Sequence, residues 1–113
     1  MTTTTSSSSA IRLGIILLTV ATAAIHLYLG LTVGLPPFIL NGLGYLALVA
    51  ALYAPISRLV PYKNIIRWVL IGFTALTILL WVAIGERTII GYLDKLIEVA
   101  LISLLVLEHR HQY

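Results

Sequence analysis

In a chain of 113 residues, 60% are apolar and only 10% are charged, a balance outside the range of soluble globular domains. The composition predicts that nearly the whole chain is embedded in a membrane and leaves no room for a soluble catalytic domain. The net charge of +3 does not indicate nucleic-acid binding, because the lysines and arginines are scattered at segment ends. The absence of cysteine excludes disulfides, thiolate metal centres and thiol nucleophiles.

The N-terminus is a polar, low-complexity run of threonine and serine, and residues 1–9 are predicted to be a disordered tail. Residues 10–113 are predicted to form a single integral membrane domain. Residues 12–23 also fit a signal peptide with a cleavage site after Ala23. Apolar residues continue past that site to Gly34, which favours an uncleaved anchor helix.

Four apolar stretches follow the tail, each close to the roughly 20 residues that a helix needs to cross a bilayer. Prolines and glycines separate them, and the predicted helices cover about 10–34, 38–58, 64–85 and 88–109. Asn64 is a candidate N-cap for the third helix. Because the connections are short, the predicted fold is all-α: a four-transmembrane-helix antiparallel bundle with short loops.

The positive charges predict the orientation of this bundle. In a four-span topology, both termini and the connection between the second and third helices lie on one side of the membrane. Five of the seven basic residues fall on that side: Arg12, Arg58, Lys63, Arg67 and Arg110. Arg87 and Lys95 fall on the other side. We therefore expect a multi-pass protein of the cell membrane with cytoplasmic N- and C-termini.

The fourth stretch differs from the others because it contains Asp94, Lys95 and Glu98. The uncharged residues after Glu98 span only about 13 Å, which is under half of the hydrocarbon thickness. A spanning helix must therefore carry the charges into the membrane. On an insertion scale they cost about 7–9 kcal/mol, against about 5 kcal/mol gained from the aliphatic residues of the stretch. This helix needs partners for its charges.

Polar residues on the other helices lie at matching depths. Asp94 and Glu98 are four residues apart and share one helix face, and a stripe of small and polar residues that includes His26 runs along the first helix. The predicted intramembrane polar cluster comprises Glu98, Asp94, His26, Asn41, Tyr45 and Lys95.

Two interpretations of this cluster remain open. It is either a satisfied hydrogen-bond network that fixes helix register, or a proton or ligand site centred on Glu98 with His26 as its partner. No catalytic residue and no metal ligand set is predicted. The closely spaced His109 and His111 are a weak ligand pair in a solvated tail.

The plan of four short-looped helices resembles DoxX-like membrane proteins and the small multidrug resistance family. The second resemblance implies a proton-coupled transporter with an intramembrane glutamate. That family carries its glutamate in the first helix, whereas Asp94 and Glu98 lie in the fourth here, so neither diagnostic motif is present and no residue is carried over.

The expected function is therefore a non-enzymatic bundle or an accessory subunit of a membrane complex. The alternatives are a proton-coupled small transporter that uses Glu98 and His26, or a haem- or quinone-binding redox subunit. In the haem alternative, His26 needs a second axial ligand from a tyrosine or a dimer partner. No cofactor is expected otherwise. The expected partners are the lipid bilayer and a homo-oligomer or larger membrane complex, without nucleic acid.

Overall fold

The computed structural model of this protein describes the backbone of residues 2–112 and the side chains of residues 9–110. Within that part of the chain there is no strand, so the prediction of an all-α fold is confirmed. The elements are α1 (Thr2–Val33), α2 (Pro36–Tyr53), a 3-10 helix (Ser57–Tyr62), α3 (Lys63–Ile84) and α4 (Ile89–Gln112).

Two helix boundaries differ from those predicted. α1 begins at Thr2 rather than near Ala10. Residue 1 and the side chains of residues 1–8 lie outside the described part of the chain. The disordered tail over residues 1–9 stays a prediction. α2 ends at Tyr53 rather than near residue 58. Pro55 explains the earlier end, because it forces Ala54 into an extended conformation with ψ of 138°.

The turn between α1 and α2 is made by a glycine and a proline. Gly34 adopts a φ of +76°, which glycine tolerates without strain, and the amide of Leu35 donates to the carbonyl of Gly30 at 2.9 Å. Pro36 follows at the first position of α2, where its missing amide hydrogen costs nothing. The connection is therefore short, and α2 lies against α1.

The connection between α2 and α3 is held by Lys63. Its ammonium donates to the last free carbonyls of α2, those of Ala51 at 2.8 Å and Ala54 at 2.9 Å. The expectation that Asn64 caps α3 is wrong: α3 begins one residue earlier, and Asn64 Oδ1 accepts a hydrogen bond from Arg67 at 3.3 Å.

At the other end of α3, the predicted stop at Gly85 is confirmed, since this residue has extended backbone angles. The Arg87 guanidinium folds back and donates to the carbonyls of Trp81 and Val82 at 3.0 and 2.8 Å. Thr88 then starts α4, because its hydroxyl accepts a hydrogen bond from the amide of Gly91 at 3.1 Å.

The four helices form a bundle in which α1 and α3 occupy opposite corners. α1 and α3 each lie against both α2 and α4. Small residues bring α1 and α2 close together, because Gly42 lies directly against the backbone of Ala23. The buried apolar core comprises Ile15, Ala23, Tyr45, Val49, Leu52, Leu70, Leu101 and Leu105.

The surface of the bundle is largely apolar. Three segments of the described chain are long and apolar enough to cross a membrane: Ser9–Val33, Pro36–Tyr53 and Ser57–Ile84. Large side chains such as Leu31, at 73% exposed, and Ile84, at 82% exposed, point outward from them. Such a surface is typical of helices that face lipid rather than water.

The contact between Gly42 and Ala23 predicts opposite effects for two glycine substitutions. A β-carbon at position 42 would lie 2.9 Å from the Ala23 carbonyl oxygen, so Gly42→Ala should lower the free energy of unfolding by about 1–3 kcal/mol. Gly72 has open space around it, so Gly72→Ala should be neutral or should stabilise by up to about 1 kcal/mol. Denaturant titrations in detergent measure both, and equal effects would contradict the close helix contact.

Candidate functional site

A charged cluster lies between α1, α2 and α4 and comprises His26, Asp94, Lys95 and Glu98. All four side chains are buried, and Glu98 is completely inaccessible. The hydroxyl of Tyr45 donates to Glu98 Oε2 at 2.5 Å, and the Lys95 ammonium donates to Glu98 Oε1. Both carboxylate oxygens of the most deeply buried acid therefore have partners, as burial requires.

Asp94 lies one turn before Glu98 on the same face of α4. Its Oδ1 accepts a hydrogen bond from the hydroxyl of Thr22 at 2.6 Å, and its Oδ2 lies 3.2 Å from the Lys95 ammonium. Lys95 thus links both carboxylates of its own helix. The hydrogen bond from Thr22 joins α1 to the carboxylates of α4.

The ring of His26 lies beside Asp94 in an orientation that assigns its protons. Nδ1 lies 2.8 Å from the backbone carbonyl of Thr22, which can only accept, so Nδ1 carries a hydrogen. Nε2 lies 3.6 Å from Asp94 Oδ2. A bare lone pair facing a carboxylate is repulsive, whereas a proton on either atom makes the contact attractive. The contact between His26 and Asp94 is therefore an ion pair only when His26 carries a second proton.

Asn41 is placed near the charged cluster but bonds to a different helix. Its amide donates to the hydroxyl of Thr77 at 2.9 Å, and that hydroxyl donates in turn to the carbonyl of Phe73. The remaining Asn41 Oδ1 is buried and has no hydrogen-bond partner among the residues that the structure describes. The expected contact between Asn41 and the acidic face of α4 is not formed.

A cavity of about 600 Å³ opens above the charged cluster, at the end of the bundle where α1 joins α2 and α3 joins α4. Its polar inner end is formed by His26, Asp94 and Lys95, with Asn41 and Thr77 beside them. Most of its wall is apolar and includes Leu29, Val33, Phe38, Leu80, Trp81 and Ile84. An apolar chamber with a few convergent polar groups is the usual form of a small-molecule site.

An aromatic platform forms one edge of the cavity. The indole of Trp81 meets the ring of Tyr92 edge-on at 5.0 Å and donates to the carbonyl of Glu86 at 3.0 Å. The Arg87 guanidinium lies 4.3 Å above the centre of the indole, within the range of a cation–π contact. These contacts fix the orientation of Trp81, whose ring centre lies 6.0 Å from the Lys95 ammonium.

Three of the clustered groups also have the spacing of metal ligands. One ligand atom each from His26, Asp94 and Glu98 lie within 4.8 Å of one another. The ammonium of Lys95, however, already contacts both carboxylates. A divalent cation would have to displace this charge, so the arrangement favours the lysine over a metal ion.

A second polar cluster lies at the opposite end of the bundle, where α2 joins α3. Glu108 is buried and accepts hydrogen bonds from Arg67 at 2.8 Å and from Tyr53 at 2.7 Å. The amide oxygen of Asn64 lies 2.8 Å from Nδ1 of His109, one of the two closely spaced histidines of the C-terminal segment. His111 lies outside the described side chains.

Five of the six predicted site residues come together, and Asn41 borders the same cavity without joining them. Sequence reasoning missed the role of Thr22 as a donor to Asp94. It also missed the pairing of Arg67 with Glu108. The signal for that pairing was a basic residue near the start of the third apolar stretch and an acidic residue just after the end of the fourth.

Comparison of the chain with models of known protein families, with curated proteins and with solved structures found no match.

The hydrogen bond between Tyr45 and Glu98 predicts a specific loss of stability. Tyr45→Phe leaves a buried carboxylate oxygen without its shortest donor and should lower the free energy of unfolding by about 1–3 kcal/mol. Tyr28→Phe is the matched control, because the Tyr28 side chain is 62% exposed on α1. Denaturant titration of both variants in detergent tests this, and equal stability of the two would contradict the network.

Proposed function

We propose that the chain is a multi-pass integral membrane protein of the cell membrane in which all four helices cross the bilayer. For three of the helices, length and composition alone support a membrane span. For α4, the support comes from the directions in which its polar and apolar side chains point. Asp94, Lys95 and Glu98 are at most 9% exposed, whereas Ile89 and Leu96 are 89% and 69% exposed. The charges of α4 are paired inside the bundle, so its outer face is compatible with lipid.

The contacts support an antiparallel arrangement of neighbouring helices. Between α1 and α4, Gly14 lies against Leu104 and Thr22 lies against Asp94, so residue numbers rise on one helix as they fall on the other. Between α3 and α4, Arg67 contacts Glu108 near one end, and Trp81 approaches Gly91 near the other.

We further propose that this bundle is a non-enzymatic protein that binds a small amphipathic molecule. The observation that carries the proposal is the cavity, whose apolar wall ends at the charged groups of His26, Asp94 and Lys95. A ligand with a hydrocarbon body and one polar end matches both parts. The two hydroxyls at the site, those of Thr22 and Tyr45, serve as hydrogen-bond donors to Asp94 and Glu98, an arrangement suited to holding a ligand in place.

The topology can be tested by labelling, because the chain has no cysteine and every introduced one is unique. In intact cells, a membrane-impermeant thiol reagent should label Thr32→Cys. It should label Ser57→Cys and Leu107→Cys only after permeabilisation, because the basic residues favour a cytoplasmic location for those ends. External labelling of Leu107→Cys would contradict a spanning α4.

Ligand binding can be tested with three probes that share an eight-carbon tail: 1-octanol, octanoate and octylammonium. We expect at least one to bind the protein in lipid nanodiscs, measured by calorimetry against empty nanodiscs. Ile84→Trp places an indole in the cavity mouth and should weaken that binding at least about tenfold, which corresponds to about 1.4 kcal/mol.

The matched control for this test is Val82→Trp, which adds the same ring at another exposed position of α3 that does not line the cavity. Both positions are more than half exposed, so the fold should persist in both variants. Failure of all three probes to bind, or equal weakening by both substitutions, would contradict the proposed function.

A further inference from the structure

We propose that the ligand of the cavity is a primary aliphatic ammonium ion, and that its binding releases the proton shared by His26 and Asp94. This inference rests on the proposed function and names the class of ligand. Three independent features of the site lead to it: its charge balance, its free hydrogen-bond acceptors and the composition of its wall.

The charge balance of the cluster leaves room for one cation. Asp94 and Glu98 are acidic, and Lys95 is the basic residue that forms salt bridges with both of them. With His26 neutral, the buried cluster carries one net negative charge, which is costly away from water. A proton on the pair of His26 and Asp94 neutralises it in the empty protein, and a bound monocation can take the place of that proton.

The groups around this proton site come from every helix that borders the cavity. α4 contributes Asp94, Lys95 and Glu98 to the cluster, and α2 contributes the hydroxyl of Tyr45, whose ring lies 5.9 Å from that of His26. α3 contributes the uncharged Thr77 and Trp81. Glu98 is the other base of this cluster, and the His26→Gln variant below distinguishes it from His26 as the site of the released proton.

The hydrogen-bond acceptors match a primary ammonium group. Once the proton has left, His26 Nε2 is an acceptor, and Asp94 Oδ2 next to it keeps capacity beyond its contact with Lys95. These two acceptors can take two of the three N–H groups of R–NH3⁺, whereas an alcohol supplies one donor and a quaternary ammonium supplies none.

The wall of the cavity selects the rest of the ligand. Leu29, Phe38, Leu80 and Ile84 present an apolar surface between the charged cluster and the opening. A hydrocarbon chain buries its surface there, at about 25 cal/mol per Å². A small hydrated cation would gain nothing from this wall, so the site favours an amine with an aliphatic tail.

The exchange balances without any further reactant. The ammonium enters with its own charge, the proton on His26 Nε2 passes to solvent, and the net charge of the cluster is unchanged. Because the proton and the ligand compete for one position, affinity should rise with pH by up to about tenfold per unit while the empty site is protonated. An aliphatic amine stays cationic over that range, since its pKa is near that of lysine, about 10.4.

The test uses the full chain in nanodiscs and calorimetry in two buffers of different ionisation enthalpy, which counts the protons released. Octylammonium should bind at least about tenfold more tightly than 1-octanol or octyltrimethylammonium, as the loss of a charge-assisted hydrogen bond implies. It should release up to one proton per bound ligand. His26→Gln should still bind octylammonium but release no proton, whereas His109→Gln, at the other end of the bundle, should match the wild type.

The outcomes separate this inference from the proposed function. If 1-octanol or octyltrimethylammonium binds as tightly as octylammonium and Ile84→Trp blocks it, the cavity is a ligand site but its ligand is not a primary ammonium. If octylammonium binds without proton release, or if His26→Gln releases as many protons as the wild type, the exchange is wrong. If none of the probes binds, the proposed function fails as well.

Discussion

In the proposed membrane arrangement, the position of α4 depends on the pairing of Lys95 with Asp94 and Glu98. Three charges on a helix face cost more in a membrane than the aliphatic residues of this helix supply. Pairing within one helical turn removes most of that cost. The hydroxyls of Thr22 and Tyr45 donate the further hydrogen bonds that the two carboxylates need. The rest of the bundle is arranged so that this face meets those two hydroxyls.

Close contact between α1 and α2 brings those hydroxyls into reach. Gly42 lets α2 lie directly on the backbone of Ala23, and Gly30 takes the same role beside Ile39 near the turn. Thr22 and Tyr45 then face the same side, toward α4. The small residues therefore allow the backbones of α1 and α2 to approach each other closely. The polar residues beside them form hydrogen bonds with α4.

The sequence was enough to predict the all-α fold, the number of helices, and the four residues of the charged cluster together with Tyr45. The reason is that the length of an apolar stretch and the position of a charge within it are local signals. It was not enough to assign Asn41, whose amide could reach either α3 or α4 at the same depth. It also could not predict the cavity. A cavity arises where helices diverge near their ends, and that divergence depends on the size of side chains from four separate segments.

The buried carboxylates at the two ends of the bundle differ in how their charge is balanced by basic groups, and this difference is relevant to the proposed function. At one end, Glu108 meets one guanidinium and one hydroxyl, so its charge is balanced by Arg67 within the protein. At the other end, two carboxylates share one lysine, and His26 lies 3.6 Å from one of them. A closed ion pair is sufficient to hold helices together. Two carboxylates that share one lysine beside an open cavity are the arrangement on which the proposed ligand binding depends.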